Sequence, residues 1–443
     1  MQDAQPDQSA MPEIAVWIGI DWADQKHAYA MQIAGEERVG RGEIDHTPEA
    51  VEEFFTELGR RFPDQMIAVA MEQARGSLLF MLSKYGHLVL YPVHSSTMDH
   101  YRKSFYPSGA KSDPTDADLI LELLRKHPDR LRPFRPDTVA TRTIQFLVEA
   151  RRDAVNDKTR YLNRLTSQLK MFFPQILQWF KEVDAPVVSD LLTAWPTLEH
   201  MQAAKPRAIA KFFDRHRFSP ERIDQLRTAL VGAIPATRDQ AVIATGVIVV
   251  RRLIEQLKVL RASIKEHAEK IEELTTSHPD FEIFASLPGA GKVMIPRLIA
   301  ALGTDRDRYM TAAELQCYSG IAPVISRSGQ QCHTDWRRAC PKFLRQTFHE
   351  WAWYSTRKCS WARQYYDTQR ARKKSHHAAV RALSFKWIRI LFRCWKDRSL
   401  YDEARYTAAL AARTSRQAQP SVKIMWKNIA GFCKPAEIPS ENA

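Results

Sequence analysis

An α/β domain followed by two largely helical regions is the fold class this chain predicts, and three observations carry it. Short apolar runs alternate with helical spacings between Ile14 and Val93. Apolar residues then recur at seven-residue spacing in two long stretches after Val148. The last third is basic, aromatic and helical in pattern.

The elements follow in order. Ile14–Ala23, with Val16, Ile18 and Ile20, predicts a buried strand, and alternating stretches at His27–Ile33 and Glu37–Ile44 complete a three-strand meander. Pro48–Phe62 has helical spacing, Met66–Met71 is a short apolar strand, Ser77–Tyr85 is helical and Leu88–Val93 is a further strand. From Val148 the residues Val148, Val155, Leu162 and Leu169 form one seam and Leu165 and Phe172 a second, until Pro174 ends the helix. Ile243, Val247, Val250, Ile254 and Leu257, resuming at Ile264, Ala268 and Ile271, give a second long helix, so the two predict an antiparallel coiled coil. Between them, Ala185–Ala236 reads as shorter helices punctuated by Pro196, Pro206, Pro220 and Pro235. A third region opens at Phe281, and its stretch Leu344–Trp395 is helical. Expected domains are therefore 1–147, 148–278 and 279–400, with an extension at 401–443 in which Ile424–Phe432 could dock.

Charge is unevenly spread. The formal net charge is +14, from 65 Lys and Arg against 51 Asp and Glu. Met1–Ala150 holds 16 basic and 23 acidic residues, a net of −7, which leaves 49 against 28, or +21, for the remainder. An acidic module joined to basic ones suits carboxylates that bind divalent cations next to surfaces that hold phosphate backbones. The six cysteines form no C-x-x-C pair and none lies before Cys317, which argues against a disulfide framework or a zinc ribbon. No signal-peptide pattern and no long apolar run occurs, so a cytoplasmic, nucleoid-associated protein without a membrane partner is expected.

Four carboxylates stand out. The first strand ends in G-I-D-W, placing Asp21 at a strand end, and the fourth ends in A-M-E-Q, placing Glu72 likewise. In K-S-D-P-T-D-A-D, Asp113 and Asp116 lie three residues apart on one helix face. Phosphoryl transfer on DNA uses hard cations held by such ligands, because the attacking and leaving oxygens both carry charge. Each residue alone has an ordinary explanation: Asp113 as a helix cap, Asp116 and Asp118 beside the helix dipole, Asp21 opening a turn. Together, in this strand-strand-helix order, they resemble an RNase H-like, RuvC-type nuclease core.

Near the other end, Y-S-G-I-A-P-V-I-S-R-S-G-Q carries Ser319, Ser326 and Ser328 in an expected loop, followed by Arg337, Arg338, Lys342 and Arg345. A serine beside glycine can approach a phosphate closely, although an ordinary turn serine is the plainer reading. G-A-G-K at Gly289–Lys292 lacks the first glycine and the Ser/Thr of a phosphate loop and excludes an ATPase; as a turn between helices it offers Lys292 to a DNA backbone. Arg370, Arg372, Lys373 and Lys374 sit among aromatics, a mixture suited to nucleic acid, while core packing accounts for most of the aromatic side chains. Adjacent His376 and His377 have no metal-ligand spacing with cysteine and read as surface residues or phosphate neighbours.

The joint order of these motifs resembles the insertion-sequence-110, or DEDD, family of transposases. The acidic pieces at Asp21, Glu72, Asp113 and Asp116 match one end; L-P-G-A-G-K, A-L-G at Ala301–Gly303 and Y-S-G-I-A-P-x-x-x-R-S-G at Tyr318–Gly329 match the other. The resemblance implies Ser328 as the nucleophile that forms a covalent link to DNA, with Ser326 in reserve. It also implies Mg²⁺ (or Mn²⁺) on the four carboxylates, assembly as a homodimer or homotetramer, and guidance by a structured bridge RNA. Arg327 and the other cations named above would contact DNA. The C-H-T-D-W-R-R-A-C-P-K stretch after Ser328 departs from the glycine-rich segment common in relatives. Other readings are a Piv-type invertase, a RuvC-like junction endonuclease that needs no serine, and a non-catalytic nucleic-acid scaffold.

Overall fold

The structure, a computed structural model, describes residues 13–72, 76–105, 113–329 and 331–409. The chain divides between Asp137 and Thr138 into two units, each with its own core.

In the first unit β1 (Ile14–Asp21), β2 (Lys26–Ile33) and β3 (Val39–Asp45) form the antiparallel meander. β4 (Met66–Met71) and β5 (Leu88–Pro92) extend it in parallel, in the order β3-β2-β1-β4-β5. One face of the sheet, with Val16, Ile18, Ile20 and Val69, packs on α1 (Pro48–Arg61) and α2 (Ser77–Leu82). The other face sets the small Gly19, Ala68 and Ala70 beside Trp17 and Tyr91, and the parallel strands β1 and β4, covered on both sides, read as near-continuous apolar runs. Gly19 shows why small residues are needed there. A Cβ at Gly19 would lie 2.4 Å from Ala117 O and Leu121 N of α4 (Asp113–Lys126), so only glycine lets that helix lie on β1. A further helix, α3 (Ser95–Phe105), stands outside the sequence expectation and anchors itself through the fully buried Met98.

In the second unit α5 (Val139–Phe172) and α11 (Gln240–Thr276) run antiparallel. Phe172, near the end of α5, meets Gly246 near the start of α11, while Ile144 and Val148 share a core with Ile271. Burial is concentrated at the two ends of this hairpin; Val155, Leu162, Ile264 and Ala268 in its middle are only half-buried. α5 begins nine residues before the first seam position, with Thr138 capping it through Thr141 N–H. α6 (Gln175–Trp179), α7 (Pro186–Ala194), α8 (Leu198–Gln202), α9 (Pro206–Arg215) and α10 (Pro220–Val231) cluster around one hairpin end. Pro186, Pro206 and Pro220 stand in first turns, where a missing N–H costs nothing, so these prolines mark helix starts.

The remaining elements are α12 (Phe281–Ala285), α13 (Met294–Leu302), α14 (Ala312–Tyr318), the hairpin β6 (Val324–Ser328) and β7 (Gln331–Asp335), α15 (Lys342–Ser355), α16 (Ser360–Ala371) and α17 (His376–Lys396). Their core holds Trp351, Trp387 and Trp395, all fully buried. Each indole N–H donates, to Pro288 O at 3.1 Å, Ser355 Oγ at 2.7 Å and Gly303 O at 2.9 Å respectively, which is what makes burial of the rings tolerable. Among the described residues no helix is long and apolar enough to cross a membrane. The stretch Ile424–Phe432 lies outside the described residues.

Candidate functional site

Parallel pairing fixes the first part of the site. Ile20 is in register with Met71, so Asp21 and Glu72, the next residues, leave the sheet side by side at its carboxyl edge. Edges of this kind, outside the carboxyl ends of parallel strands, are where α/β sheets hold ligands. Asp116 reaches the same place from the first turns of α4, the helix pressed against Gly19. Asp21 and Asp116 are both buried, at 6% and 0% exposure. Asp113 opens α4, but its side chain lies outside the described residues. Asp118 faces elsewhere, paired with Arg41 of β3 at 2.9 Å.

The residue that joins the cluster is one the sequence did not single out. Arg102 of α3 donates from Nε to Asp116 Oδ1 at 2.7 Å and lies 3.9 Å from Glu72 Oε2. Burial works against its charge, but the Asp116 hydrogen bond and the charges of Asp116 and Glu72 outweigh that and raise its pKa above the ordinary arginine value. Even so, Glu72 Oε2 and Asp116 Oδ2 are buried without any hydrogen-bond donor. Among the described residues no three His, Cys, Asp or Glu side chains stand close enough to hold a metal. With Arg102 lying against Glu72 and Asp116, the donor set is nonetheless hard and anionic, and its Glu72 Oε2 and Asp116 Oδ2 lack hydrogen-bond donors, which fits a hard divalent cation.

Behind the carboxylates a chain of hydrogen bonds ties together the segments that follow them. Ala23 N–H donates to His27 Nδ1 at 3.2 Å, so that nitrogen is the acceptor and Nε2 carries the proton. Nε2–H then donates to His46 Nδ1 at 2.8 Å, which leaves His46 Nε2–H to donate to Ser77 Oγ at 3.2 Å. The His27 ring is thus neutral, and the turn after Asp21 is linked to the helix that follows Glu72. Burial first, then the neighbouring His46, pushes the His27 pKa down from 6.5 to about 4. An unfolded chain takes up the His27 proton below pH 6.5 whereas the folded one resists it down to about 4, so stability falls across that window. The full chain should be about 2 kcal/mol less stable at about pH 5 than at about pH 7 in urea unfolding. His27→Gln should flatten that slope; an unchanged slope would place the pH dependence elsewhere.

The second unit carries the serines. The expected loop around Ser328 is instead the hairpin of β6 and β7, in which Ser326 pairs with His333 and Ser328 with Gln331. The glycine after Ser328 explains the difference: Gly329 has φ +57°, the left-handed conformation a two-residue hairpin turn demands, and a Cβ there would meet only open space. The side chain of Ser328 lies outside the described residues, and Ser326 is exposed. Ser319 is fully buried at the end of α14, where its hydroxyl donates to Gln316 O at 3.2 Å. Gly320, at φ +72°, lets the chain turn against the Cys340 side chain.

The expected phosphate contacts differ in how far they are already engaged. Arg337 spends donors on Ala322 O at 3.4 Å at the base of the hairpin. Lys292 is ion-paired with Glu272 of α11 at 2.5 Å, although well exposed. Arg370 and Lys374 bond to Lys374 O and Gln369 Oε1 and close the end of α16, where cations complement the helix dipole. Arg372 and Lys373 are exposed in the same turn, and Arg327 is exposed on β6. His376 corrects the surface reading. It is half-buried, with its Nδ1 2.8 Å from Tyr366 OH and its ring edge-on to Trp353 at 4.8 Å.

One transposase model matches residues 18–174 and a second, described as the IS116/IS110/IS902 transposase family, matches residues 281–367. The first spans the carboxylates and the second the hairpin. The chain belongs to the IS110 family of transposases. It is similar to the mini-circle putative transposase for IS117 of Streptomyces coelicolor, 27% identical over 90% of this chain and 98% of that protein. It is also similar to the insertion element IS900 uncharacterized 42 kDa protein of Mycobacterium paratuberculosis, at 26% identity over 89% and 99%. The IS116 uncharacterized 44.8 kDa protein of Streptomyces clavuligerus is 26% identical over 88% and 96%. These relatives are thus matched along nearly their whole length, through the helical middle as well as both ends.

Proposed function

We propose that this IS110 transposase moves an insertion sequence by cleaving and rejoining DNA, with Ser328 as nucleophile and Asp21, Glu72, Asp113 and Asp116 as ligands for Mg²⁺ or Mn²⁺ in a RuvC-type site. One observation carries the carboxylate half: Glu72 Oε2 and Asp116 Oδ2 are buried acceptors without donors, at the carboxyl edge of two parallel strands. Buried carboxylate oxygens without donors are costly unless a cation shares them. A bound divalent cation would supply charge stabilisation for the phosphate undergoing transfer. The chain's own part is positional. β1 and β4 fix Asp21 and Glu72, α4 brings Asp113 and Asp116, and Arg102 holds Glu72 and Asp116 in place meanwhile.

For the serine half, support comes from the family's motif order and from the open hairpin tip at Gly329. The Ser328 hydroxyl oxygen would bond to a DNA phosphorus and release its proton to solvent. The phosphodiester bond to the neighbouring sugar breaks, and that oxygen leaves as a hydroxyl by taking up a proton. Attack by a different sugar hydroxyl reverses the step and regenerates the serine, so no phosphodiester energy is lost. DNA is the substrate, a structured guide RNA is the second polyanion of this reading, and a homodimer or homotetramer is its assembly. The net +21 of the chain beyond Ala150 suits both polyanions. Nicking of element-end DNA that requires a divalent cation and is lost in Asp21→Asn tests the reading; cation-independent nicking contradicts it.

Arg102 gives a separate outcome. Removing one partner of a buried pair leaves the other uncompensated, so Arg102→Gln should destabilise the cation-free protein by about 3 kcal/mol. Mn²⁺ should then raise its melting temperature more than it raises that of the wild type, as thermal-shift measurements would report. Equal shifts would mean that Arg102 and the cation do not share these carboxylates.

A further inference from the structure

Trp336 has no role in the cleavage chemistry and none in the core. It follows directly on β7, at the base of the hairpin whose tip lies beside Ser328, and it is 45% exposed. The Arg381 guanidinium lies 3.6 Å from its ring centroid, close enough to cover one face, and that of Arg345 lies at 5.2 Å. Trp336, Arg338, Lys342 and Arg345 line a cavity of about 410 Å³, within the usual span of ligand pockets, about 300–1,000 Å³.

Its electrostatics are one-sided. Among the described residues, Arg338, Lys342, Arg345 and Arg381 form no salt bridge, although elsewhere in the unit arginines such as Arg297 and Arg306 are paired with carboxylates. Burial, then the neighbouring Arg345, lowers the Arg381 pKa. His349 of α15 is also lowered, by burial and by His377, Arg381 and His376 around it. Asp335 is the adjoining carboxylate in sequence, and it is exposed. Like charges held together without an acid are unfavourable unless an anion joins them.

We infer that Trp336 and these cations form a binding site for single-stranded nucleic acid, in which an unpaired base stacks on the indole and its flanking phosphates lie among Arg338, Lys342, Arg345 and Arg381. The inference rests on the transposase reading for the presence of such a strand. An exposed aromatic face beside a basic cavity is the combination that binds single strands, since every base offers a π-face and every phosphate a charge. A small anion alone would leave the indole unused. Five strand residues separate Trp336 from the tip, about 15 Å at strand rise, so a strand held here would run alongside the hairpin.

Binding of the full-length protein to labelled oligothymidylate, to oligouridylate and to duplex DNA, each of about fifteen residues, tests this by fluorescence anisotropy. Trp336→Ala should weaken binding to at least one single strand about tenfold, Trp336→Phe should keep it within about threefold, and duplex binding should change by less than about twofold. The larger loss identifies whether DNA or RNA is the natural strand. Arg338→Gln should weaken all ligands and reduce the salt dependence by about one phosphate contact. Unchanged single-strand affinity in Trp336→Ala, or an equal loss on duplex, overturns the stacking site and leaves the transposase reading intact. Failure of the wild type to bind any of the three would count against both.

Discussion

Asp116→Asn should lower cleavage of element-end DNA by about a thousandfold or more, the scale of losing a principal charge-stabilising group. The substitution keeps the shape of the side chain and an oxygen for Arg102 Nε, now 2.7 Å from Asp116 Oδ1, so the helix should stay seated on β1. What it removes is one negative charge beside an acceptor that already lacks a donor. Gel assays of cleavage with melting curves alongside would check it. Cleavage at the wild-type rate in a folded variant would remove Asp116 from the cation site, and with it the strand-strand-helix arrangement. Because the carboxylates act as a set, Glu72→Gln should cost a similar amount, and the double variant little more than either alone.

Ser328→Ala should abolish the protein–DNA adduct that survives SDS and cut strand exchange by about 10⁴-fold or more, as removal of a nucleophile does elsewhere. Position decides between the two hairpin serines. Ser326 and Ser328 are two residues apart on one strand, so their place along the hairpin is what separates them. Ser328 adjoins the open tip at Gly329, where a DNA backbone can come closest. Ser326→Ala should therefore keep the adduct. Should Ser328→Ala nick DNA as well as wild type and neither form an adduct, the carboxylates act hydrolytically, as in a junction endonuclease.

Much of the fold was legible because its signals are local. The strand ends at Asp21 and Met71 follow from apolar runs of the right length, and the long helices from their spacing. Legibility failed where a structure depends on distant partners. α3 has a weak apolar pattern and one fully buried residue, Met98, so it left little periodic trace. Arg102 is a lone arginine in sequence and becomes part of the site only once α4 brings Asp116 to it. The His27, His46 and Ser77 chain spans residues 19 and 31 positions apart, with no spacing rule to expose it. Around Ser328 the glycine signals a turn, and pairing across that turn makes it a hairpin; V-I-S-R-S carries little strand signal, with Ser326 and Arg327 both exposed.

Binding of Mn²⁺ to the full chain without DNA, followed by electron paramagnetic resonance, puts the carboxylate cluster to the most direct test. Wild type should bind saturably, and Glu72→Gln and Asp116→Asn should each bind at least about tenfold more weakly. Equal binding by all three, or none by the wild type, would contradict the assignment of these carboxylates to a catalytic cation.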